Sequence, residues 1–269
     1  MQARELMSEK VFVVAATDSV AHVKNELVRR KVSVLPVMSG DKLVGTITER
    51  DLSSALYHTR DPIDEIEASQ VMRKTPPMVD PSDSPEQVAR VMSKAKVGSV
   101  TVFDKENKEV MGIITKTDIA KHFVRNCAGE ATVAQLMSRD VKTIGRHHTI
   151  FRAAREMEDN GIGRLVVKDG KVVGIVSSRD LALMTYGLTP SRVVLSNEKT
   201  RGHRVDMKPV VVEDVMRTDV YTIPSKSDAV SAAKLMLEKK VGSLVVMDNN
   251  ELKGILTKSD FVHYLAKKA

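Results

Sequence analysis

Four times in 269 residues a hydroxyl side chain is followed, three places on, by an aspartate: Thr48 and Asp51, Thr115 and Asp118, Ser177 and Asp180, Thr257 and Asp260. Three places before each hydroxyl stands a glycine: Gly45, Gly112, Gly174 and Gly254. The plainest chemistry of such a pair is a capping box. The hydroxyl accepts from a helix-start amide, and the acid returns a hydrogen bond to the cap's own amide. The hydroxyl cap alone is worth about 1 kcal/mol. Three features point beyond it. Capping boxes favour Glu or Gln, whereas every copy here has the shorter Asp. A glycine inside a strand weakens it unless something must come close. A helix N-terminus attracts anions, phosphate above all, and a carboxylate beside one can accept both hydrogen bonds of a ribose diol. Hydroxyl, carboxylate and helix end together suit a ribose phosphate.

The elements that must position these groups repeat with them. Each copy opens on an apolar residue followed by methionine (Leu6-Met7, Val71-Met72, Leu136-Met137, Val215-Met216), and methionine to glycine spans 38, 40, 37 and 38 positions. A short apolar strand is expected at Val11–Val14, Met78–Val79, Val141–Ile144 and Val220–Ile223, followed by a helix capped by Ser19, Ser84, Thr149 or Asp228. Two β-rich runs joined by turn residues come next, as in LVVKDGKVVGIV with Asp169-Gly170 between them. A second helix starts at the hydroxyl. The order is β-α-β-β-α, and one such unit is too small to bury its own apolar sheet face.

Composition narrows the class. No apolar run approaches the roughly 20 residues that cross a bilayer, and the N-terminus MQARELMSEK lacks the apolar core of a signal peptide. Cys127 is the lone cysteine, which excludes a disulfide framework and a cysteine-based metal cluster. A cytoplasmic protein with no membrane partner is the expectation. The net charge of +7 and pI near 9.4 draw attention to anionic partners. The basic residues are nevertheless dispersed among 35 acids, and aromatic residues make up only 3%, too few for a base-stacking platform.

The β-α-β-β-α unit closing in glycine, two apolar or β-branched residues, Thr or Ser and then Asp resembles the cystathionine-β-synthase (CBS) domain. Four such units in one chain resemble the gamma subunit of AMP-activated protein kinase and stand-alone prokaryotic four-repeat proteins. The resemblance implies an α/β (α+β) fold of four repeats, forming two Bateman modules in a disc-like arrangement. Repeats are expected at 1–60, 66–125, 130–186 and 210–269, with a basic insertion at 187–209 and modules at 1–125 and 130–269. In this family two repeats pack sheet to sheet and leave clefts for adenine nucleotides. Carried over, the ribose and nucleotide contacts fall to Asp51, Asp118, Asp180 and Asp260 with Thr48, Thr115, Ser177 and Thr257. Val13, Met78, Thr143 and Thr222 should border the base, with plain core packing as the alternative. The family's phosphate-facing basic residue before the second strand has one match, Arg164. Val34, Ser99 and Ser243 stand at the corresponding places, a departure from the pattern, with Ser99 and Ser243 kept as phosphate candidates there. Arg50, Lys116, Arg179 and Lys258 are further phosphate candidates, or solvated helix-end charges.

The function expected from the resemblance is a non-catalytic sensor of AMP, ADP or ATP, acting on a separate effector protein. S-adenosylmethionine is the rival ligand, and a nucleic-acid-associated regulator is the rival class. No phosphate-loop or kinase signature occurs, so the chain is not expected to be an enzyme, and no metal or other cofactor is required. The repeats fill the chain apart from the insertion, so any regulated protein is expected in trans. Four repeats can close a disc alone, or two chains can stack as a homodimer; the sequence leaves both open. His147 and His148 read as exposed loop histidines, with a phosphate contact as the alternative. Cys127 reads as structural.

Overall fold

The computed structural model describes residues 1–58, 62–106, 109–184 and 209–269. The basic insertion expected at 187–209 therefore lies outside the described residues, apart from Pro209. Repeat 1 comprises α1 (Ala3–Leu6), β1 (Val14–Ala15), α2 (Val20–Arg30), β2 (Val34–Ser39), β3 (Lys42–Thr48) and α3 (Glu49–His58). Repeat 2 comprises α4 (Ala68–Val71), β4 (Arg73–Lys74), β5 (Met78–Val79), α5 (Pro85–Ala95), β6 (Ser99–Asp104), β7 (Glu109–Thr115) and α6 (Lys116–Asn126). Repeat 3 follows with α7 (Val133–Leu136), β8 (Thr143–Ile144), α8 (Ile150–Asp159), β9 (Arg164–Asp169), β10 (Lys171–Ser177) and α9 (Ser178–Met184). Repeat 4 has a 3-10 turn (Val212–Asp214), then β11 (Thr222–Ile223), α10 (Ala229–Glu238), β12 (Ser243–Asp248), β13 (Glu251–Thr257) and α11 (Lys258–Ala266).

The first helix of each repeat begins where its cap stands. Ser19, Ser84, Thr149 and Asp228 each accept from a first-turn amide. Pro85 takes the first helical position of α5, where its missing N–H costs nothing. Three of the four leading strands are shorter than expected. Val14–Ala15, Thr143–Ile144 and Thr222–Ile223 are the parts of three of them that reach their parallel partner strands, while Met78–Val79 pairs over its expected length. Val11, Val141 and Val220 instead lie where the chain passes from one compact unit to the other.

In every repeat the second and third strands pair antiparallel, with a register shift just before the glycine. The apolar-methionine leader of one repeat docks on the hairpin of its neighbour in the chain. Ser8 pairs with Ile113, β4 with Gly45 and Thr46, Ser138 with Ile255, and Arg217 with Ile175. Each leader thus adds an edge to the neighbouring repeat's sheet, hydrogen-bonded in both directions in three cases (2.9 to 3.2 Å). Exchanged leaders give each hairpin edge a partner, which a single repeat lacks.

Two compact units result. One contains Met1–Val11, Thr75–Val141 and Val220–Ala269, so it joins the bodies of repeats 2 and 4 with the leaders of repeats 1 and 3. The other contains Phe12–Lys74 and Lys142–Asp219, joining the bodies of repeats 1 and 3 with the leaders of repeats 2 and 4. Within the first unit a single apolar core runs through both repeats and includes Met92, Phe123, Met236 and Phe261. Phe123 and Phe261 stack with ring centroids 4.7 Å apart, and Tyr264 meets Phe123 edge-on. The second unit has two cores, one per repeat, with Ala182 of repeat 3 reaching into that of repeat 1. Polar contacts supplement that joint: Arg179 Nη1 lies 3.3 Å from Glu49 Oε1, and His58 Nε2 lies 2.6 Å from Glu158 Oε1.

Candidate functional site

All four hydroxyl–aspartate pairs sit at the junction between the third strand and the second helix. There the backbone stays extended at the hydroxyl residue, as at Thr115 and Thr257, and turns helical directly after it. All four form complete caps. Oδ2 of Asp51 accepts from Thr48 N (2.8 Å) and Thr48 Oγ1 (2.6 Å). Oδ2 of Asp118 accepts from Thr115 N and Oγ1 (3.0 and 2.7 Å), that of Asp180 from Ser177 N and Oγ (2.9 and 2.5 Å), and that of Asp260 from Thr257 N and Oγ1 (2.6 and 2.9 Å). Each hydroxyl spends its one proton on the aspartate and also accepts a first-turn amide. The shorter Asp is therefore no bar to capping, contrary to the sequence argument. One oxygen per carboxylate is committed to the fold, and ligand chemistry is left to Oδ1.

The four Oδ1 atoms differ. Asp118 Oδ1 takes Lys121 Nζ at 2.9 Å, and Asp180 Oδ1 takes Arg217 Nε at 3.1 Å. Among the described residues, Oδ1 of Asp51 and of Asp260 receives no hydrogen bond. Burial pushes the Asp51 and Asp260 carboxyls above the usual aspartate value, against the pull of their own cap bonds. Arg73 and Arg50 add a weaker attraction at Asp51.

The close approach that demands glycine is made by protein. A Cβ on Gly45 would meet Met72 Sδ at 2.5 Å and Arg73 O at 2.8 Å. Gly112 faces Met7, Gly174 faces Met216 and Gly254 faces Met137 in the same way, at 2.6 to 2.7 Å from Sδ. The docked methionine supplies the glycine's reason without any ligand.

Strand register places three of the phosphate candidates opposite the caps: Arg164 faces Ser177, Ser99 faces Thr115 and Ser243 faces Thr257, while in repeat 1 the apolar Val34 faces Thr48. Arg164 adds a favourable field at Glu49. Arg50 is exposed, while Arg179 is held against Glu49. Lys116 and Lys258 cross over: Lys116 Nζ donates to Ser259 Oγ (2.7 Å) and Lys258 Nζ to Thr117 Oγ1 (3.1 Å). The N-termini of α6 and α11 therefore meet, each carrying a lysine to the other's first turn. The base-slot positions are not core. Val13 and Met78 are 53% and 48% exposed, and Thr143 and Thr222 are exposed as well.

Sequence reasoning missed Arg217, Arg73, Lys121 and Glu49. A signal for the two arginines existed: the leaders of repeats 2 and 4 read Met-Arg, and those of repeats 1 and 3 read Met-Ser. Their role depends on leader exchange, which spacing alone does not reveal. Cys127 is buried, with its thiol pushed up to about 11 by desolvation, so it stays protonated and unreactive. Among the described residues no group of three His, Cys, Asp or Glu is placed to hold a metal, and no helix is long and apolar enough to cross a membrane.

The CBS domain family model matches residues 3–58, 68–125, 133–184 and 212–267. This chain belongs to the CBS-domain family, in four copies. Protein MJ1225 of Methanocaldococcus jannaschii is 26% identical over 235 residues, which cover 87% of this chain and 80% of that protein. The MJ1225 crystal structure matches with a TM-score of 0.82 at 22% identity, covering 99% of this chain and all of that one. MJ1225 has been proposed as an archaeal homolog of g-AMPK. A second protein of the same organism, MJ1404, is 32% identical over 161 residues, 59% of this chain. The matched stretch spans 38% of MJ1404's own length.

Proposed function

We propose that this chain is a non-catalytic, cytoplasmic regulatory module that binds adenine nucleotides (AMP, ADP or ATP) and acts on a separate protein. The observation that carries the reading is the crossing of Lys116 and Lys258 at the joined N-termini of α6 and α11. Two ammonium groups and two helix dipoles share one place there, a setting that favours a polyanion. Asp260, with Oδ1 open, follows two residues after Lys258 and offers an acceptor for a sugar hydroxyl. Exposed Met78 on the same compact unit offers apolar surface to a base. The sites of repeats 1 to 3 are proposed on the same plan, with Asp51, Asp118 and Asp180 as sugar acceptors. Asp118 and Asp180 would have to share Oδ1 with Lys121 and Arg217. Arg164 is proposed for phosphate in repeat 3. The exchanged leaders favour functional modules at 1–125 and 130–269, because each leader ties a repeat to its neighbour in the chain.

A ligand held at 100 times its dissociation constant stabilises the bound form by about 2.7 kcal/mol, enough to bias a partner interface if the ligand discriminates between two states. Calorimetric titration of the full chain with AMP, ADP, ATP and S-adenosylmethionine tests the reading. Heat of binding for a nucleotide is expected, and it should weaken by about tenfold or more in a Lys116→Met, Lys258→Met double variant. A preference for S-adenosylmethionine would replace the ligand assignment. Silence with all four would end the sensor reading.

A further inference from the structure

Repeat 3 differs from its siblings at one further place. Between the end of β8, the first turns of α8 and the β9–β10 hairpin lies a cavity of about 350 Å³, large enough for a small ligand. Thr143, Gly145, His148, Arg152, Glu156 and Lys168 line it. It shares Thr143 with the proposed base positions, but Arg164, Ser177 and Asp180 do not line it.

The lining is built for negative charge. Gly145 N donates to His148 Nδ1 at 3.0 Å, which makes Nδ1 an acceptor and puts the imidazole proton on Nε2. Gly145 lets the ring lie so close, since a Cβ there would meet His148 Nδ1 at 3.1 Å. Arg152 Nε is 3.9 Å from Glu156 Oε1, too far for a hydrogen bond, so the guanidinium fork keeps its donors. Lys168 is exposed and has no ion pair among the described residues. The acids nearby, Asp169 and Glu213, are both engaged by Arg146, at 3.0 and 3.3 Å. The lining carries two cations, Arg152 and Lys168, against one acid, Glu156, a net charge of +1.

The other repeats serve as an internal control. Strand register and helix caps align His148 with Asp18, Asp83 and Ser227, Arg152 with His22, Gln87 and Ser231, and Lys168 with Met38, Phe103 and Met247. Asp18 and Asp83 make the same turn bond as His148, to Ala15 N and Asp80 N at 2.7 and 2.8 Å. The turn is thus common to three repeats; among those three, repeat 3 alone makes it with a neutral donor in place of the aspartate, and it alone of the four sets both an arginine and a lysine around that position. A purely structural turn gives no reason for all three changes together.

We propose that this cavity is a second ligand site, separate from the nucleotide sites, and that it takes a small phosphate-bearing anion through His148 Nε2, Arg152 and Lys168. The probe is inorganic phosphate, titrated into the full chain by calorimetry and followed by thermal shift. Variants borrow from the sibling repeats, so each residue is one that this backbone already accepts. Lys168→Met and Arg152→Gln should each weaken phosphate binding by about tenfold or more. His148→Asp keeps the turn bond and should abolish binding, by placing a carboxylate where the anion sits. Nucleotide titrations of the same variants should be unchanged. The proposal is overturned if the wild-type chain binds no phosphate at millimolar concentration. It is equally overturned if the three variants bind phosphate as well as wild type, or if they lose nucleotide together with phosphate. A chain that binds phosphate here but no nucleotide would sink only the function proposed above.

Discussion

Met72 Sδ lies 2.5 Å from the point where Gly45 would carry a Cβ, and Arg73 O lies 2.8 Å from the same point. The same wedge recurs at Gly112, Gly174 and Gly254, each filled by the methionine that opens the neighbouring repeat. Methionine suits the task because its thioether is flexible and polarizable. The backbone carbonyl beside it is not flexible. In an ordinary strand, replacing glycine by alanine gains about 0.5–1 kcal/mol by reducing unfolded-state freedom. Here Gly254→Ala should instead cost about 1–3 kcal/mol, as overpacking does. Met137→Ala in the same chain should recover part of the loss, leaving the clash with Ser138 O at 2.9 Å. Chemical denaturation of both variants settles it; a neutral or stabilising Gly254→Ala means the leader can move aside freely.

Cap and ligand roles of the aspartates can be separated. In an asparagine at position 51 the amide oxygen can still accept Thr48 N, while the outward atom becomes a donor. Asp51→Asn and Asp260→Asn should therefore unfold within about 1 kcal/mol of wild type, yet lose about tenfold or more in nucleotide affinity. Asp118→Asn and Asp180→Asn also release Lys121 or Arg217, so in those two variants stability and affinity change together. Equal affinity losses at unchanged stability in all four variants would contradict the division.

A pH profile gives a further check on Asp51 and Asp260. Burial raises both carboxyls above their ordinary value of about 3.9. An ionised carboxylate accepts from sugar hydroxyls more strongly than a protonated one. Nucleotide affinity should fall as pH drops through the raised values, beginning at a higher pH than an ordinary aspartate allows. The sign for stability is opposite. Between about 3.9 and the raised value the folded chain binds more protons than the unfolded one, so these groups lose stability as pH rises through that window. An affinity profile in acid that is the same for wild type and for Asp51→Asn and Asp260→Asn would exclude the two carboxylates from the ligand contact.

Within each compact unit the two repeats are held together by different forces. Phe123 and Phe261 lie in one continuous core shared by repeats 2 and 4, whereas repeats 1 and 3 keep separate cores linked by Arg179–Glu49 and His58–Glu158. Phe261→Ala should cost about 3–5 kcal/mol. Exposed or partly exposed ion pairs contribute about 0–1 kcal/mol, so His58→Ala should cost far less. Native-state hydrogen exchange should show α3 and α9 opening at lower free energy than α6 and α11. Uniform protection across all four helices would refute this ranking.

Much of this architecture was legible before any coordinates. The caps Ser19, Ser84, Thr149 and Asp228 were readable because a cap is a local pattern, decided within four residues. Strand glycines and Met pairs are visible too, but not their relation, since Met7 and Gly112 meet only after the chain has passed through the other unit and returned. The Thr/Ser–Asp motif reads in sequence as more than a capping box, and the structure completes a capping box in every copy. The error lay in treating cap and ligand roles as rivals, when a carboxylate has two oxygens and can divide them. Partners such as Arg217 on Asp180 were illegible because they come from a leader 37 residues downstream.

The joint between repeats 1 and 3 also carries a pH dependence of its own. Lys24 is 3% exposed, and desolvation lowers its ammonium to about 8. Glu49, beside the same small gap as Lys24 and Arg179, is pushed up by burial against the attraction of Arg179. An ordinary lysine titrates near 10.4. Between about pH 8 and 10.4 the unfolded chain holds the Lys24 proton more tightly than the folded one, so folding stability from this group rises with pH across that window. Below pH 8 both states are charged, and the full desolvation cost stands. For Glu49 the folded state is the better proton binder above about 4.3, so its contribution falls as pH rises through the raised value. Other lysines titrate in the alkaline window too, so the comparison is between wild type and Lys24→Met. Denaturant unfolding at pH 7.5 and pH 9.5 should show a gain in the wild-type chain that the variant lacks. Equal pH slopes in the two proteins would mean that Lys24 reaches water in the folded state and that this joint carries no buried ammonium.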